Sequence, residues 1–239
     1  MAGACATPTR TPPRADWESA VSLVSSDPSP PVVLVCGPKN SGKFTFSRVV
    51  LNALLPRQAA TAPNPNHLIT TLASDAGGVS GVLDTDLGQP EFGPPGCLSL
   101  HVVDEAIAGY GSKLGSLVLN TTLREAERCY FFGDISSKRD PEAYLNCLFH
   151  LCGHFVGKYR CDENGMLPLI VNTPGWVKSA GFDMLVEMLR YICPTIVVQI
   201  LITVQSKNLP DGVFWLDAGQ TGSKMININA AFHDASNRL

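Results

Sequence analysis

Three features of the sequence predict an α/β fold with a mostly parallel sheet covered by helices on both faces. Short apolar runs rich in β-branched residues, such as Val32–Cys36 and Leu167–Val171, are typical of buried strands. Segments with helical patterning separate these runs, and such alternation favours parallel strands joined by helices. Polar loops follow several of the strands, and in a parallel sheet these loops meet at one edge.

The composition is that of a protein with a substantial core. Of 239 residues, 45% are hydrophobic and 16% are charged, which excludes a largely disordered chain. We expect one domain over residues 16–239, preceded by a disordered Ala-, Thr- and Pro-rich leader at 1–15. A net charge of −3 excludes a general nucleic-acid footprint, so such binding needs a local patch. No apolar run approaches the roughly 20 residues of a membrane span.

The elements are placed in order by periodicity and by their start and stop signals. Asp140 and Pro141 mark a helix start especially well, as N-cap and first helical residue. Pro56 is expected to end the first long helix, before a surface excursion over 57–78. The predicted helices cover 16–24, 44–55, 141–158 and 181–191, and the predicted strands cover 32–36, 79–83, 98–103, 129–134, 167–171 and 195–200.

The loop between the first strand and the helix after it predicts phosphate binding. Its spacing, G-x-x-x-x-G-K, places backbone N–H groups, a helix N-terminus and the Lys43 ammonium around an anion. The motif normally continues with a Ser or Thr that ligates Mg²⁺, but this chain has Phe44, which casts doubt on magnesium ligation there. The predicted nucleotide-binding residues are Gly37, Pro38, Lys39, Asn40, Ser41, Gly42, Lys43, Phe44 and Thr45.

A second polar loop follows the strand at 79–83. Asp84 at the end of that strand is expected to hold Mg²⁺ or its water shell, since hard cations prefer carboxylate oxygens. Asp86 is the preferred general base, although the sequence alone does not separate the roles of the two carboxylates. Gln89 is expected to orient the nucleophile.

Two further loops complete the predicted site. Ser136 and Ser137 follow the strand at 129–134, and Thr173, Pro174, Gly175 and Trp176 follow the strand at 167–171. Trp176 has two interpretations, a base-stacking platform or a core tryptophan. Lys138, Arg139 and Lys178 lie on the expected ligand side and are either phosphate contacts or ordinary solvated charges.

A zinc site is not favoured for the remaining polar clusters. Most members of the set lie within one predicted helix, and they lack the paired C-x-x-C spacing of structural zinc sites. Buried thiols and surface histidines explain the residues better. The set comprises Cys147, His150, Cys152, His154 and Cys161.

Together the motifs resemble the polynucleotide 5′-hydroxyl-kinase family, and its nucleolar branch in particular. The resemblance rests on Gly37–Lys43, Asp84–Pro90, Tyr130–Gly133 and Asn172–Lys178, which occur in the family's order. It implies a P-loop kinase that transfers the γ-phosphate of ATP, with Mg²⁺, to the 5′-hydroxyl of RNA or DNA. It also implies a nucleolar location, a role in pre-ribosomal RNA processing and an endoribonuclease partner that generates the 5′-hydroxyl end.

By the same resemblance, Lys43 clamps the phosphates, and Ser136, Ser137 and the Thr173–Trp176 loop hold the 5′ end of the nucleic acid. The family's arginine-bearing lid and C-terminal domain are expected after the last strand and are not found before Leu239. Together with Phe44, this leaves a second hypothesis, a nucleotide-binding scaffold that does not turn over. A GTPase is not favoured, because the sequence has no guanine-reading Asn-Lys-x-Asp motif.

Overall fold

The computed structural model describes residues 15–59, 78–107, 124–161, 166–216 and 222–231, with the side chains of 56–59 excepted. The predicted leader and most of the predicted excursion at 57–78 lie outside these ranges. Short 3₁₀ turns occur at Ser137–Arg139 and Gln205–Lys207. The helices are α1 Ala15–Ser25, α2 Lys43–Ala59, α3 Pro141–Tyr159 and α4 Ser179–Ile192, and the strands are β1 Val32–Cys36, β2 Ser80–Asp84, β3 Cys97–Val103, β4 Arg128–Phe131, β5 Leu169–Asn172, β6 Ile196–Leu201 and β7 Lys224–Asn229.

The strands form one seven-stranded sheet in the order β4-β3-β2-β5-β1-β6-β7. All neighbouring strands are parallel except β3, which is antiparallel to both β2 and β4. The prediction of a mostly parallel sheet is therefore confirmed. In β1, Leu34 is aligned with Val171 of β5 and with Val197 of β6, which places β1 between them. Later strands are added on both sides of β1, so its C-terminal end is the switch point where ligands bind in such sheets.

Helices cover both faces, as the sequence predicts. On one face, α1 and α2 pack their apolar side chains on Val33 and Val35 of β1. On the other, α3 and α4 pack on Leu34. Because alternate residues of a strand point to opposite faces, both sides of β1 are buried.

The helix ends show where local sequence signals succeed and where they fail. Asp140 caps α3 as predicted, since its side chain accepts a hydrogen bond from the Ala143 N–H at 2.9 Å. The predicted stop at Pro56 is wrong, because α2 continues to Ala59. Proline has a helical φ and costs mainly one backbone donor, so a helix end near a proline is less sharp than the rule suggests. The sequence prediction also missed β7.

Candidate active site

The Gly37–Gly42 loop connects the end of β1 to α2, and its shape depends on glycine. Gly37 and Gly42 have φ values of 146° and 92°, in the region that side chains disfavour. A Cβ at Gly37 would lie 2.5 Å from the carbonyl oxygen of Ile200, so the neighbouring strand leaves room only for glycine. Trp17 of α1 packs on the loop at Gly42. The loop is therefore preformed by the packing around it.

Lys43 is folded back onto this loop. Its Nζ donates hydrogen bonds to the carbonyl oxygens of Gly37 (3.2 Å) and Pro38 (3.0 Å), and the side chain is buried. Burial lowers the pKa of Lys43 to about 8, and the Asp86 carboxylate opposes that shift. The lysine and Asp86 therefore share one electrostatic environment, as the predicted site requires.

Asp84 is fully buried at the end of β2 and is held by three donors. It accepts hydrogen bonds from Asn172 Nδ2 (3.2 Å), from the Asp86 N–H (3.3 Å) and from the Glu91 N–H. Burial raises the pKa of Asp84 to about 6, although these donors act against the shift. The carboxylate is thus fixed in position with its charge only partly compensated.

Asp86 and Gln89 occupy the exposed turn that follows. Oδ1 of Asp86 accepts from the N–H groups of Gly88 (3.1 Å) and Gln89 (3.2 Å), which closes the turn. Gln89 is exposed. The predicted base therefore uses one carboxylate oxygen to hold its own loop.

The loop after β5 is packed directly on the phosphate-binding loop. A Cβ at Gly175 would lie 2.6 Å from the backbone nitrogen of Lys39, so the two backbones touch. Thr173 is buried, and its hydroxyl donates to the carbonyl oxygen of Val35 in β1 at 2.8 Å. Pro174 is buried as well, and its carbonyl oxygen accepts from the Trp176 N–H at 2.8 Å. This loop and the phosphate-binding loop therefore form one unit.

Trp176 lies between the two interpretations made from the sequence. It is half-buried, with its ring edge-to-face on Tyr144 at a centroid distance of 5.2 Å. Gly181 leaves room for the ring, since a Cβ there would come within 2.9 Å of it. Tyr144 in turn donates to the carbonyl oxygen of Thr85, beside Asp84, at 2.8 Å. Trp176 and the acidic loop are therefore linked through one side chain.

The loop after β4 adjoins the acidic turn. A Cβ at Gly88 would lie 3.5 Å from the carbonyl oxygen of Ile135. Ser136 caps the short 3₁₀ turn by accepting from the Lys138 N–H at 3.4 Å. Ser137 is buried, with its hydroxyl 3.8 Å from the sulfur of Met184 in α4, so its side chain anchors the loop from behind.

Sequence reasoning missed a group of residues behind the acidic loop. Glu91 has a buried side chain whose Oε1 accepts from Arg48 Nε at 2.7 Å, and burial raises its pKa to about 7. Arg48 also lies over the Phe44 ring, 4.4 Å from its centroid. A buried ion pair joins residues 43 positions apart, so no local pattern announces it.

Searching the described residues for clusters of three or more metal-ligating His, Cys, Asp or Glu side chains finds none. Within α3, His154 contacts Glu127 at 3.1 Å, which accounts for one member of the set considered for zinc. Nor do the described helices include one long and apolar enough to cross a membrane.

Comparison with known proteins identifies the family. The profile described as mRNA cleavage and polyadenylation factor CLP1 P-loop matches residues 66–213, more than half of the chain. The chain belongs to the CLP1 P-loop family. The matched region begins after the Gly37–Lys43 loop and includes the acidic loop and Trp176.

Relatives of this CLP1 P-loop chain carry the name polynucleotide 5′-hydroxyl-kinase. One named NOL9, from Arabidopsis thaliana, is 43% identical over 227 residues, which are 93% of this chain and 55% of that protein. The Homo sapiens NOL9 is 33% identical over 76% of this chain and 21% of its own length, and the Schizosaccharomyces pombe grc3 is 30% identical over 74% and 21%. The chain thus spans about half of the plant relative and about a fifth of the other two.

A solved structure shows the same fold. The wild-type Clp1p–Pcf11p (454–563) complex contains a chain that superimposes with a TM-score of 0.51 at 16% identity, over 79% of this chain and 42% of that one. The likeness supports a P-loop α/β architecture for this family member and confirms the predicted fold class.

Proposed function

We propose that this protein is an ATP-dependent polynucleotide 5′-hydroxyl kinase. One observation carries the proposal: the Gly175 backbone lies against Lys39 of the phosphate-binding loop, while Trp176 is linked through Tyr144 to the acidic loop. A phosphate donor in the first loop and a polynucleotide end beside Trp176 would then meet at Asp84 and Asp86. The names of the relatives support the same reaction.

In this proposal the phosphates of ATP are held by Gly37–Thr45. The backbone N–H groups and the start of α2 supply positive potential. Lys43 exchanges its hydrogen bonds to Gly37 and Pro38 for bonds to phosphate oxygens, which return its ammonium to a fully charged state.

The donor atoms around Asp84 fit a magnesium ion. Asp84 supplies a buried carboxylate, and beside it Asn172 Oδ1 is buried without a hydrogen-bond partner among the described residues. Oxygen donors of this kind suit Mg²⁺, which would neutralise charge on the transferring phosphoryl group. Phe44 supplies no such oxygen.

Asp86 is the proposed general base. Its Oδ1 is occupied by the turn, so Oδ2 would accept the proton of the attacking 5′-hydroxyl. The hydroxyl oxygen forms a bond to the γ-phosphorus while the bond from that phosphorus to the β,γ-bridging oxygen breaks, leaving ADP. Gln89, on the same turn, is placed to orient the hydroxyl.

The polynucleotide end is proposed to lie against two loops. Trp176 would stack on the first base, and Ser136 with the Thr173–Gly175 backbone would face its sugar and phosphate. Ser137 supports this surface from behind through Met184. Lys138 and Arg139 are exposed next to it and would meet the following phosphates.

A second candidate, a nucleotide-binding scaffold without turnover, is favoured by one observation, the aromatic ring at position 44. We infer from the resemblance that either activity serves pre-ribosomal RNA processing in the nucleolus, with an endoribonuclease that supplies 5′-hydroxyl ends. RNA is the preferred substrate and DNA the alternative.

Transfer of labelled γ-phosphate from ATP to a 5′-hydroxyl oligoribonucleotide tests the kinase proposal. The expected result is label at the 5′ end with the intact protein and none with Lys43→Ala. An oligonucleotide that already has a 5′-phosphate controls for exchange and is expected to stay unlabelled. Measurable ATP binding without transfer would refute the kinase and leave the scaffold.

A further inference from the structure

We infer that this chain holds its divalent cation with a set of buried oxygens from Ser47, Asp84, Glu91 and Asn172, which replaces the hydroxyl missing at position 44. The inference rests on the proposed function for its biological use. Its test, however, measures cation binding directly and without nucleotide.

All four residues line one small pocket between α2 and the ends of β2 and β5. Ser47 and Asn172 are 7% and 4% exposed, Asp84 is fully buried, and the Glu91 side chain is 5% exposed. They come from three separate elements and a loop, so only the folded chain brings them together.

Three of the four side chains have an oxygen with no hydrogen-bond partner among the described residues. These atoms are Ser47 Oγ, Glu91 Oε2 and Asn172 Oδ1. A buried polar atom left unpaired is costly, and several of them around one pocket call for a common partner. Because the unpaired atoms are all oxygens next to a carboxylate, the partner expected is a hard cation.

The surrounding hydrogen bonds leave these oxygens free for a cation. Arg48 binds only Oε1 of Glu91, so Oε2 stays available. Asn172 uses its Nδ2 group to bind Asp84, which turns its Oδ1 away from that bond. A carboxylate that bridges an arginine and a metal, and an amide that fixes a neighbouring ligand, both match how metal ligands are oriented.

Ser47 takes a position that the usual motif does not use. It lies four residues after Lys43 and three after Phe44, so it shares their helix face one turn further into the protein. Phe44 also lines the pocket, and its ring is capped by Arg48. The cation would therefore bind deeper than residue 44 allows and remain next to Asp84.

The experiment is a titration of the protein with Mn²⁺, followed by the electron paramagnetic resonance signal of free Mn²⁺. Glu91→Gln and Ser47→Ala are each expected to weaken Mn²⁺ binding by about tenfold. Ser25→Ala is the matched control, because Ser25 also has a buried unpaired hydroxyl but lies at the end of α1. It is expected to leave Mn²⁺ affinity unchanged.

A gain-of-binding variant keeps the test decisive if a loss variant folds poorly. Ser47→Cys places a soft thiolate in the set and is expected to shift preference from Mn²⁺ toward Cd²⁺ by tenfold or more, relative to Ser25→Cys. Equal Cd²⁺ preference in the two cysteine variants, or unchanged Mn²⁺ affinity in Glu91→Gln and Ser47→Ala, would overturn the inference. Loss of phosphate transfer with these cation effects intact would refute only the kinase proposal.

Discussion

The two halves of the candidate site are built differently. In the nucleotide half, Lys43 and Asp84 are buried and held by bonds within the protein. In the acceptor half, Phe131 and Ile135 are 80% and 67% exposed, and Trp176 is half-buried. The difference shows that the fold itself shapes the phosphate site, whereas the acceptor surface consists of rim side chains fixed only from behind. Substitutions in the first half should therefore affect nucleotide binding, and those in the second half polynucleotide binding.

The largest expected effect is on the nucleotide half. Lys43→Ala removes the mobile charge of the phosphate loop and should reduce phosphate transfer by at least about 100-fold. Transfer is measured with labelled ATP, and ATP affinity by calorimetry. Retention of wild-type affinity and transfer would show that the phosphates lie elsewhere.

Gly175→Ala tests the contact between the two halves. The added Cβ would come within 2.6–2.9 Å of Lys39, and two of the three atoms it meets are backbone and cannot move aside cheaply. ATP affinity should fall by about tenfold. The matched control is Gly157→Ala, where a Cβ meets no atom within 4 Å and a helical alanine should slightly stabilise the protein.

Trp176→Leu should affect the acceptor half alone. Loss of a stacking surface is expected to raise KM for the oligonucleotide by about tenfold with KM for ATP unchanged. Tyr191→Leu serves as control, because Tyr191 is also an exposed aromatic residue but stacks on Phe149 instead. An equal rise in both KM values for Trp176→Leu would show that the ring only supports the fold.

Phe44→Ser restores the usual hydroxyl and should strengthen Mg²⁺-dependent nucleotide binding several-fold. The measurement is ATP affinity as a function of Mg²⁺ concentration. If the metal dependence does not change, residue 44 is not near the cation in either form.

The smallest effect concerns stability. His101 is buried between Ser99 and Phe92, and burial lowers its pKa to about 4. Below its ordinary value of 6.5 the unfolded chain gains a proton that the folded chain refuses, so stability should fall as pH drops from 6.5 to 4. His101→Gln should flatten this part of the curve in chemical denaturation measured at several pH values. An unchanged slope would exclude His101 as its source.

Local and topological signals predicted most of the fold. The bounds of β1 were predicted as observed, and the N-cap of α3 was recognised because both depend on neighbouring residues. The sequence also placed the polar loops at one sheet edge. It did not predict β7, although Lys224–Asn229 alternates in burial. It also could not show that Glu91 pairs with Arg48, or that Ser137 points toward Met184, because those contacts join distant segments.

The central claim is that the 5′ end of a polynucleotide lies next to the nucleotide's cation. It is tested most directly by nuclear magnetic resonance of a short 5′-hydroxyl oligoribonucleotide, bound together with Mn²⁺ and a non-hydrolysable ATP analogue. Paramagnetic broadening should be strongest at the 5′-methylene protons and fade along the strand, and Trp176→Leu should weaken it. Broadening that is uniform, or strongest at the 3′ end, would contradict a shared site for Lys43, Asp84 and Trp176.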